Sequence, residues 1–164
     1  MKIEVHWGEM IDDAKFNLKG KDIKSIVQEL NARDEWGKFD GSLGYKFNDT
    51  SKGIVTKVKL LPRYKITMPN WPAYRNQPQS VKDNWDNMYK ALKTHENEHK
   101  QIMLTGLKNV QDYLGTLSKI KNDEFKIQIE DKIKEIKKKQ DKFDVSTNHG
   151  ADRGVELDIP SEEK

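Results

Sequence analysis

The chain contains no cysteine, and this absence removes several kinds of site from consideration. Without cysteine there is no disulfide, no thiolate zinc ligand, no iron–sulfur cluster and no cysteine nucleophile. The absence does not identify a compartment, because an exported protein can fold without disulfides. A zinc site in this protein would therefore use histidine or carboxylate ligands.

Long apolar runs are also missing, and apolar residues make up only 34% of the 164 residues. No stretch approaches the roughly 18 apolar residues that span a bilayer, so we expect no membrane span. Residues 1–7 lack the apolar core, about 7–15 residues long, of a signal peptide. On the residues alone, a cytosolic location and a mature form that has lost its signal peptide both stay open.

The chain lacks a strong excess of one charge, since 30 Lys+Arg face 27 Asp+Glu for a net charge of +3. The densest basic stretch, residues 132–142, is interrupted by Glu135 and Asp141, and its one neighbouring aromatic residue is Phe143. Nucleic-acid surfaces usually combine a basic patch with aromatic side chains. We interpret the stretch as a solvated helix face and expect no nucleic-acid partner.

Apolar periodicity predicts an α+β fold. Alternation at residues 3–7, 43–47 and 54–68 predicts a small N-terminal meander sheet of three or four strands, and residues 21–33 predict one helix. A long helix is predicted from near Ser80 to Leu117, packed against a second long helix that carries Phe125, Ile129, Ile133 and Ile136. The sequence does not predict an oligomeric state.

The segment His95-Glu96-Asn97-Glu98-His99 has the pattern H-E-x-x-H. Histidines four residues apart lie on one side of a helix, within reach of one metal ion. Both are in register with the apolar face of the long helix, which predicts that they point into the protein. We therefore predict that His95 and His99 bind zinc and that Glu96 is the general base that deprotonates a zinc-activated water. The alternative is a buried histidine pair without a metal.

A catalytic zinc site with three protein ligands needs one more residue. The metzincin pattern is excluded because Ile102 and Thr105 occupy the positions of its glycine and third histidine. His149 is favoured as the third ligand, since the second long helix can return the chain towards His99. The alternatives are carboxylates at Glu124, Glu130, Glu135, Asp112 and Asp123.

Several short segments together resemble a bacterial family of predicted secreted zinc-dependent proteases, still described largely as a domain of unknown function. These segments are Ile66-Thr67-Met68-Pro69-Asn70-Trp71, Trp85, Thr94 with the H-E-x-x-H element, Phe143-Asp144, and Thr147-Asn148-His149-Gly150. The resemblance covers most of the chain and implies a zinc metallopeptidase with a zincin-like fold. It implies one zinc per chain held by His95, His99 and His149, with Glu96 as the catalytic base.

The resemblance also implies a peptide or protein substrate and a secreted or periplasmic location. We accordingly expect a single zincin-like domain over residues 1–154, followed by a flexible C-terminal tail over residues 155–164. The family usually has tyrosine where this chain has Phe143. Asp144 and Thr147 are expected to orient His149, or to satisfy backbone donors of the turn.

Two other function classes fit the same residues. A zinc hydrolase of non-peptide amides or esters would use the same ligands and the same base. A non-catalytic binding module would keep the zinc fold for structure or recognition. Loss of turnover without loss of metal in Glu96→Gln separates an enzyme from the binding module.

Overall fold

The computed structural model describes residues 1–161 and confirms an α+β protein with a small sheet and two long, packed helices. None of the described helices has the length and apolarity needed to cross a membrane. In chain order the elements are β1 (Lys2–Val5), β2 (Met10–Asn17), α1 (Ile23–Asn31), β3 (Lys38–Asp49), β4 (Val55–Asn70), α2 (Gln79–Gly115) and α3 (Asn122–Ser146), with short 3-10 helices at Pro72–Asn76 and Ala151–Arg153.

The longest strand, β4, pairs with each of the other strands. Every second side chain from Val58 to Met68 is buried, which is the period of a strand with one face in a core. Pro62 interrupts neither the strand nor this alternation, and its carbonyl accepts a hydrogen bond from the Gly8 N–H at 2.9 Å. The apolar stretches on either side of Pro62 therefore form one continuous strand.

The sheet is not the meander that the sequence predicts. β1 pairs in parallel with β4, in a register that sets Lys2 opposite Lys57. Parallel neighbours need a crossover connection, which here contains β2, α1 and β3. β2 lies where no strand was predicted, because its half-buried residues Ile11, Ala14 and Phe16 do not alternate strictly.

The chain forms two compact units, and the first comprises Met1–Met10, Asp40–Tyr64 and His99–Lys142. In this unit α3 packs closely against α2. A Cβ added to Gly106 would lie 2.5 Å from Cγ1 of Ile136, so only glycine permits this approach. The buried members of the apolar cluster are Leu43, Val55, Val58, Leu60, Leu107, Val110, Leu114, Ile120, Phe125 and Ile129.

The second unit comprises Ile11–Phe39, Lys65–Glu98 and the described residues from Phe143 onward. Its helix α1 begins after Asp22, whose side chain accepts a hydrogen bond from the Ser25 N–H at 2.8 Å. This bond satisfies one of the amides that a helix start leaves without a partner. The buried apolar residues of the unit include Ile23, Ile26, Leu30, Ile66, Met68, Trp71, Trp85, Met88 and Leu92.

Each boundary between the two units falls inside a regular element. The chain passes from one unit to the other within β2, β3, β4, α2 and α3. In the described part of the chain, the units are therefore joined by continuous strands and helices rather than by linkers.

The segment predicted as a flexible tail starts at residue 155. Val155 is buried, and the main chain of Asp158 makes two hydrogen bonds with the Asn84 side chain, at 2.7 and 3.2 Å. These contacts attach the beginning of the segment to α2. Its last residues, 162–164, lie outside the described residues.

Candidate metal centre

The buried face of α2 changes from apolar to polar at His95. Buried side chains recur three or four residues apart along the helix, which is the spacing of one helical face. His95 and His99 continue this face and are only 5% and 6% exposed, so the predicted inward orientation is confirmed. The apolar members of the face are Val81, Trp85, Met88, Leu92, Met103, Leu107, Val110 and Leu114.

His95 is held by two consecutive residues at the end of α3. Its Nε2 lies 3.1 Å from Oδ1 of Asp144. Its ring stacks on the ring of Phe143, with centroids 4.7 Å apart and planes 21° apart. Phe143 thus fixes the plane of the imidazole, and Asp144 contacts one of its nitrogens. At position 143 the phenylalanine ring serves as a stacking surface.

A tight turn after α3 brings the main chain against His95. Asn148, His149 and Gly150 have φ angles of 49°, 54° and 90°, in the left-handed region that favours glycine. A Cβ added to Gly150 would lie 2.7 Å from Cγ2 of Val155 and 3.2 Å from the His95 ring. Gly150 is therefore needed both for the turn and for the close approach.

Thr147 and Asp144 have different roles in this turn. The buried Thr147 hydroxyl donates to the Phe143 carbonyl at 2.9 Å and accepts from the Gly150 N–H at 3.3 Å. The main-chain carbonyl of Asp144 accepts the N–H of His149 at 2.8 Å. Thr147 thus stabilises the local backbone, whereas the carboxylate of Asp144 reaches the motif histidine.

Glu96 is buried beside these residues, with 4% of its surface exposed. Burial, and then the negative charges of Glu35 and Asp144, raise its pKa from the ordinary 4.5 to about 8. A hydrogen bond from the Phe39 N–H opposes this rise. A carboxyl group with a pKa near neutrality is suited to proton transfer.

Two groups of potential metal ligands lie in the described part of the chain, and both include Asp144. In the first group, ligand atoms of His95, His99 and Asp144 all lie within 4.8 Å of one another. In the second group, Glu35 and His149 join Asp144 within the same limit. Zinc accepts imidazole nitrogen and carboxylate oxygen, so the first group could hold this ion.

The third ligand predicted from the sequence, His149, is exposed and does not belong to the group that contains the two motif histidines. Asp144, which was expected to support His149, is the third member of that group. The five carboxylates weighed as alternatives belong to neither group of described ligands. They are Asp112, Asp123, Glu124, Glu130 and Glu135.

Sequence reasoning missed two residues of the site. Glu35 lies in the loop between α1 and β3, where no motif or periodicity points to a function. Gln140 contacts His99 across 41 residues of sequence, with its Oε1 2.5 Å from the ring Nδ1. The antiparallel return of α3 could have indicated residues near position 140, but not which of them faces His99.

The comparisons with known proteins identify a family. Residues 14–150 match a family described as "Bacterial protein of unknown function (DUF922)". The chain belongs to this family. The match to DUF922 spans every residue of both ligand groups, from Glu35 to His149. No curated protein and no solved structure matches the chain at a significant level.

Proposed function

We propose that this DUF922 protein is a zinc-dependent metallopeptidase of zincin-like architecture, with its centre on α2. The main support is the burial of both histidines and the glutamate of one H-E-x-x-H element, beside the Asp144 carboxylate. Buried polar and charged groups cost free energy unless they are paired or bind an ion. The two imidazoles and the Asp144 carboxylate also lie close enough together to be donors to a single metal ion.

The donor set fits zinc, because two imidazole nitrogens and one carboxylate oxygen are ligands that this ion takes in catalytic sites. When bound, the ion would supply Lewis acidity that polarises a substrate carbonyl and acidifies water. Glu96 would accept the proton of the attacking water and deliver it to the leaving amine. Nearby positive charge lowers the pKa of a carboxyl group, which would favour the ionised Glu96 that a base requires.

Asp144 and His149 are the two candidates for the third protein ligand. We favour Asp144, because its carboxylate lies beside both motif histidines and only 3.1 Å from Nε2 of His95. His149 is the residue that the sequence resemblance implies, and its ligand atom lies within 4.8 Å of that of Asp144. Substitution of each residue separates the two assignments.

The proposed substrate is a peptide or protein, and the proposed location is secreted or periplasmic. Both proposals are supported by the sequence resemblance. The site chemistry is shared with zinc hydrolases of other amides and of esters. The activity assay therefore includes all three classes of substrate.

Elemental analysis of protein purified without a histidine tag tests the metal centre. We expect about one zinc per chain in the wild type, a large loss in Asp144→Ala and retention in His149→Ala. The matched control is His6→Ala, which removes an exposed histidine of the first unit. Loss of zinc in His149→Ala alone would make His149 the third ligand. Absence of zinc from the wild type after zinc addition would contradict the metal centre and favour a binding module.

Hydrolysis of a quenched fluorescent peptide library tests the reaction. Glu96→Gln should lower turnover by about 100- to 10,000-fold, because general-base catalysis contributes this much, while the zinc content stays unchanged. Undiminished turnover in Glu96→Gln would remove the proposed base. Turnover of esters or simple amides without cleavage of peptides would identify the non-peptide hydrolase.

A further inference from the structure

Gln140 on α3 makes two hydrogen bonds with a single residue, His99 on α2. Its Oε1 lies 2.5 Å from the ring Nδ1, and its Nε2 donates to the main-chain carbonyl of His99 at 2.9 Å. Both residues belong to the first unit. One planar amide thus contacts both the side chain and the main chain of a motif histidine, and this fixes the orientation of the amide.

These two hydrogen bonds determine which ring nitrogen of His99 carries the hydrogen. A main-chain carbonyl can only accept, so the amide nitrogen of Gln140 must face it. The amide oxygen then faces the imidazole, and because this oxygen can only accept, Nδ1 must be the donor. In the neutral ring, Nε2 is then left with a lone pair, which is the form that binds a metal.

We propose that Gln140 is a positioning residue that holds His99 in the Nδ1–H tautomer and directs the Nε2 lone pair to the metal. A group that accepts the remote ring N–H of a ligating histidine fixes the tautomer and raises the basicity of the ligating nitrogen. The metal part of this inference rests on the proposed function. The tautomer, by contrast, is a property of the metal-free protein.

Two substitutions and one control separate positioning from packing. Gln140→Met keeps the length of the side chain and removes both the acceptor and the donor. Gln140→Glu keeps an acceptor for Nδ1, loses the donor to the main chain and adds a negative charge. Lys139→Met is the matched control, because it places the same side chain at an exposed neighbouring position on α3.

Nitrogen-15 NMR of the imidazoles, recorded on metal-free protein near pH 8, reports the tautomer of His99 directly. We expect Nδ1–H in the wild type, in Lys139→Met and in Gln140→Glu, and a shift towards Nε2–H in Gln140→Met. An Nε2–H tautomer in the wild type would overturn the proposal whether or not the variants fold. An unchanged tautomer in folded Gln140→Met would also overturn it.

Competition with a chromophoric chelator measures the zinc affinity of the same proteins. We expect about 10- to 100-fold weaker binding in Gln140→Met, and an affinity within a few-fold of the wild type in Gln140→Glu and Lys139→Met. Equal weakening in Gln140→Met and Gln140→Glu would contradict the role of the acceptor. If the wild type binds no zinc, the proposed function fails, while the NMR experiment still decides the tautomer.

Discussion

Two stretches of α2 bury the same face of one helix with opposite chemistry. The apolar stretch, defined by Met103, Leu107, Val110 and Leu114, buries hydrocarbon, and each such side chain stabilises the fold by about 1.5–3 kcal/mol. The polar stretch, from His95 to His99, buries two imidazoles and a carboxyl group, whose desolvation opposes folding. The apolar stretch therefore stabilises the fold, whereas the polar stretch contains the residues to which the proposed function gives a role.

The largest effect on stability should come from the apolar stretch. Leu114→Ala should lower the free energy of unfolding of the metal-free protein by about 2–5 kcal/mol, because a buried side chain is replaced by a cavity. Urea unfolding measures this, with Ile127→Ala as the control, since Ile127 is 65% exposed on α3. A similar loss in both variants would contradict the assigned core.

The polar stretch should instead make the stability of the protein depend on pH. Below about pH 4.5, Glu96 is protonated in both folded and unfolded protein, and between 4.5 and about 8 only the unfolded chain releases the proton. The stability of the metal-free protein should therefore fall as pH rises through this window. Glu96→Gln has no titrating group at position 96, so it should not lose stability in this way. Its free energy of unfolding should exceed that of the wild type by a difference that grows between pH 5 and pH 8, to on the order of 3 kcal/mol.

Thermal or urea unfolding of both proteins at pH 5, 6.5 and 8 checks this prediction. All other titrating groups are shared by the two proteins, so the difference between them isolates Glu96. Parallel pH profiles would show that Glu96 does not retain its proton in the folded state. Burial of the Glu96 carboxyl group would then not oppose folding above pH 4.5.

A smaller effect on stability is expected from a substitution in the turn next to the polar stretch. Gly150→Ala should cost about 1–3 kcal/mol, because a Cβ at φ 90° would meet Val155 and the His95 ring. Gly115→Ala is the matched control, since nothing lies within 4 Å of a Cβ added there. Equal stability of the two variants, measured by thermal unfolding, would show that the turn relaxes without strain.

The smallest effect should come from the exposed ion pair beside the motif. Both carboxylate oxygens of Glu98 lie 3.0 Å from an Arg153 guanidinium nitrogen, yet the two side chains are 38% and 55% exposed. Arg153→Ala should therefore cost less than about 1 kcal/mol, and even less at high salt. A decrease of more than 2 kcal/mol in the free energy of unfolding at low salt would show that this ion pair contributes substantially to stability.

Periodicity in the sequence was enough to predict the three α-helices and strands β1, β3 and β4, but not strand β2. The long helix was predicted from near Ser80 to Leu117 and is observed at Gln79–Gly115, because inward-facing residues recur at helical spacing along it. Strand pairing was not predictable in the same way. The parallel register of β1 on β4 depends on contacts between residues more than fifty positions apart, such as Lys2 and Lys57, which no local pattern encodes.

In the candidate site, too, residues close together in sequence were predictable, and residues from distant elements were not. His95, Glu96 and His99 belong to one motif on one helix, so helical geometry alone places them together. Glu35 and Gln140 come from other elements and carry no motif of their own. The position of Asp144 depends on where α3 ends beside His95, which the sequence did not specify.

The continuity of the chain between the two units has a consequence for genetic dissection. A gene shortened to end at residue 98 would stop in the middle of α2, and the last carbonyls would lose the amides that follow them. A stop within β4 would likewise divide the strand on which the sheet is built. Neither truncated chain should fold when expressed alone. Roles in this protein are therefore better assigned with single substitutions than with fragments.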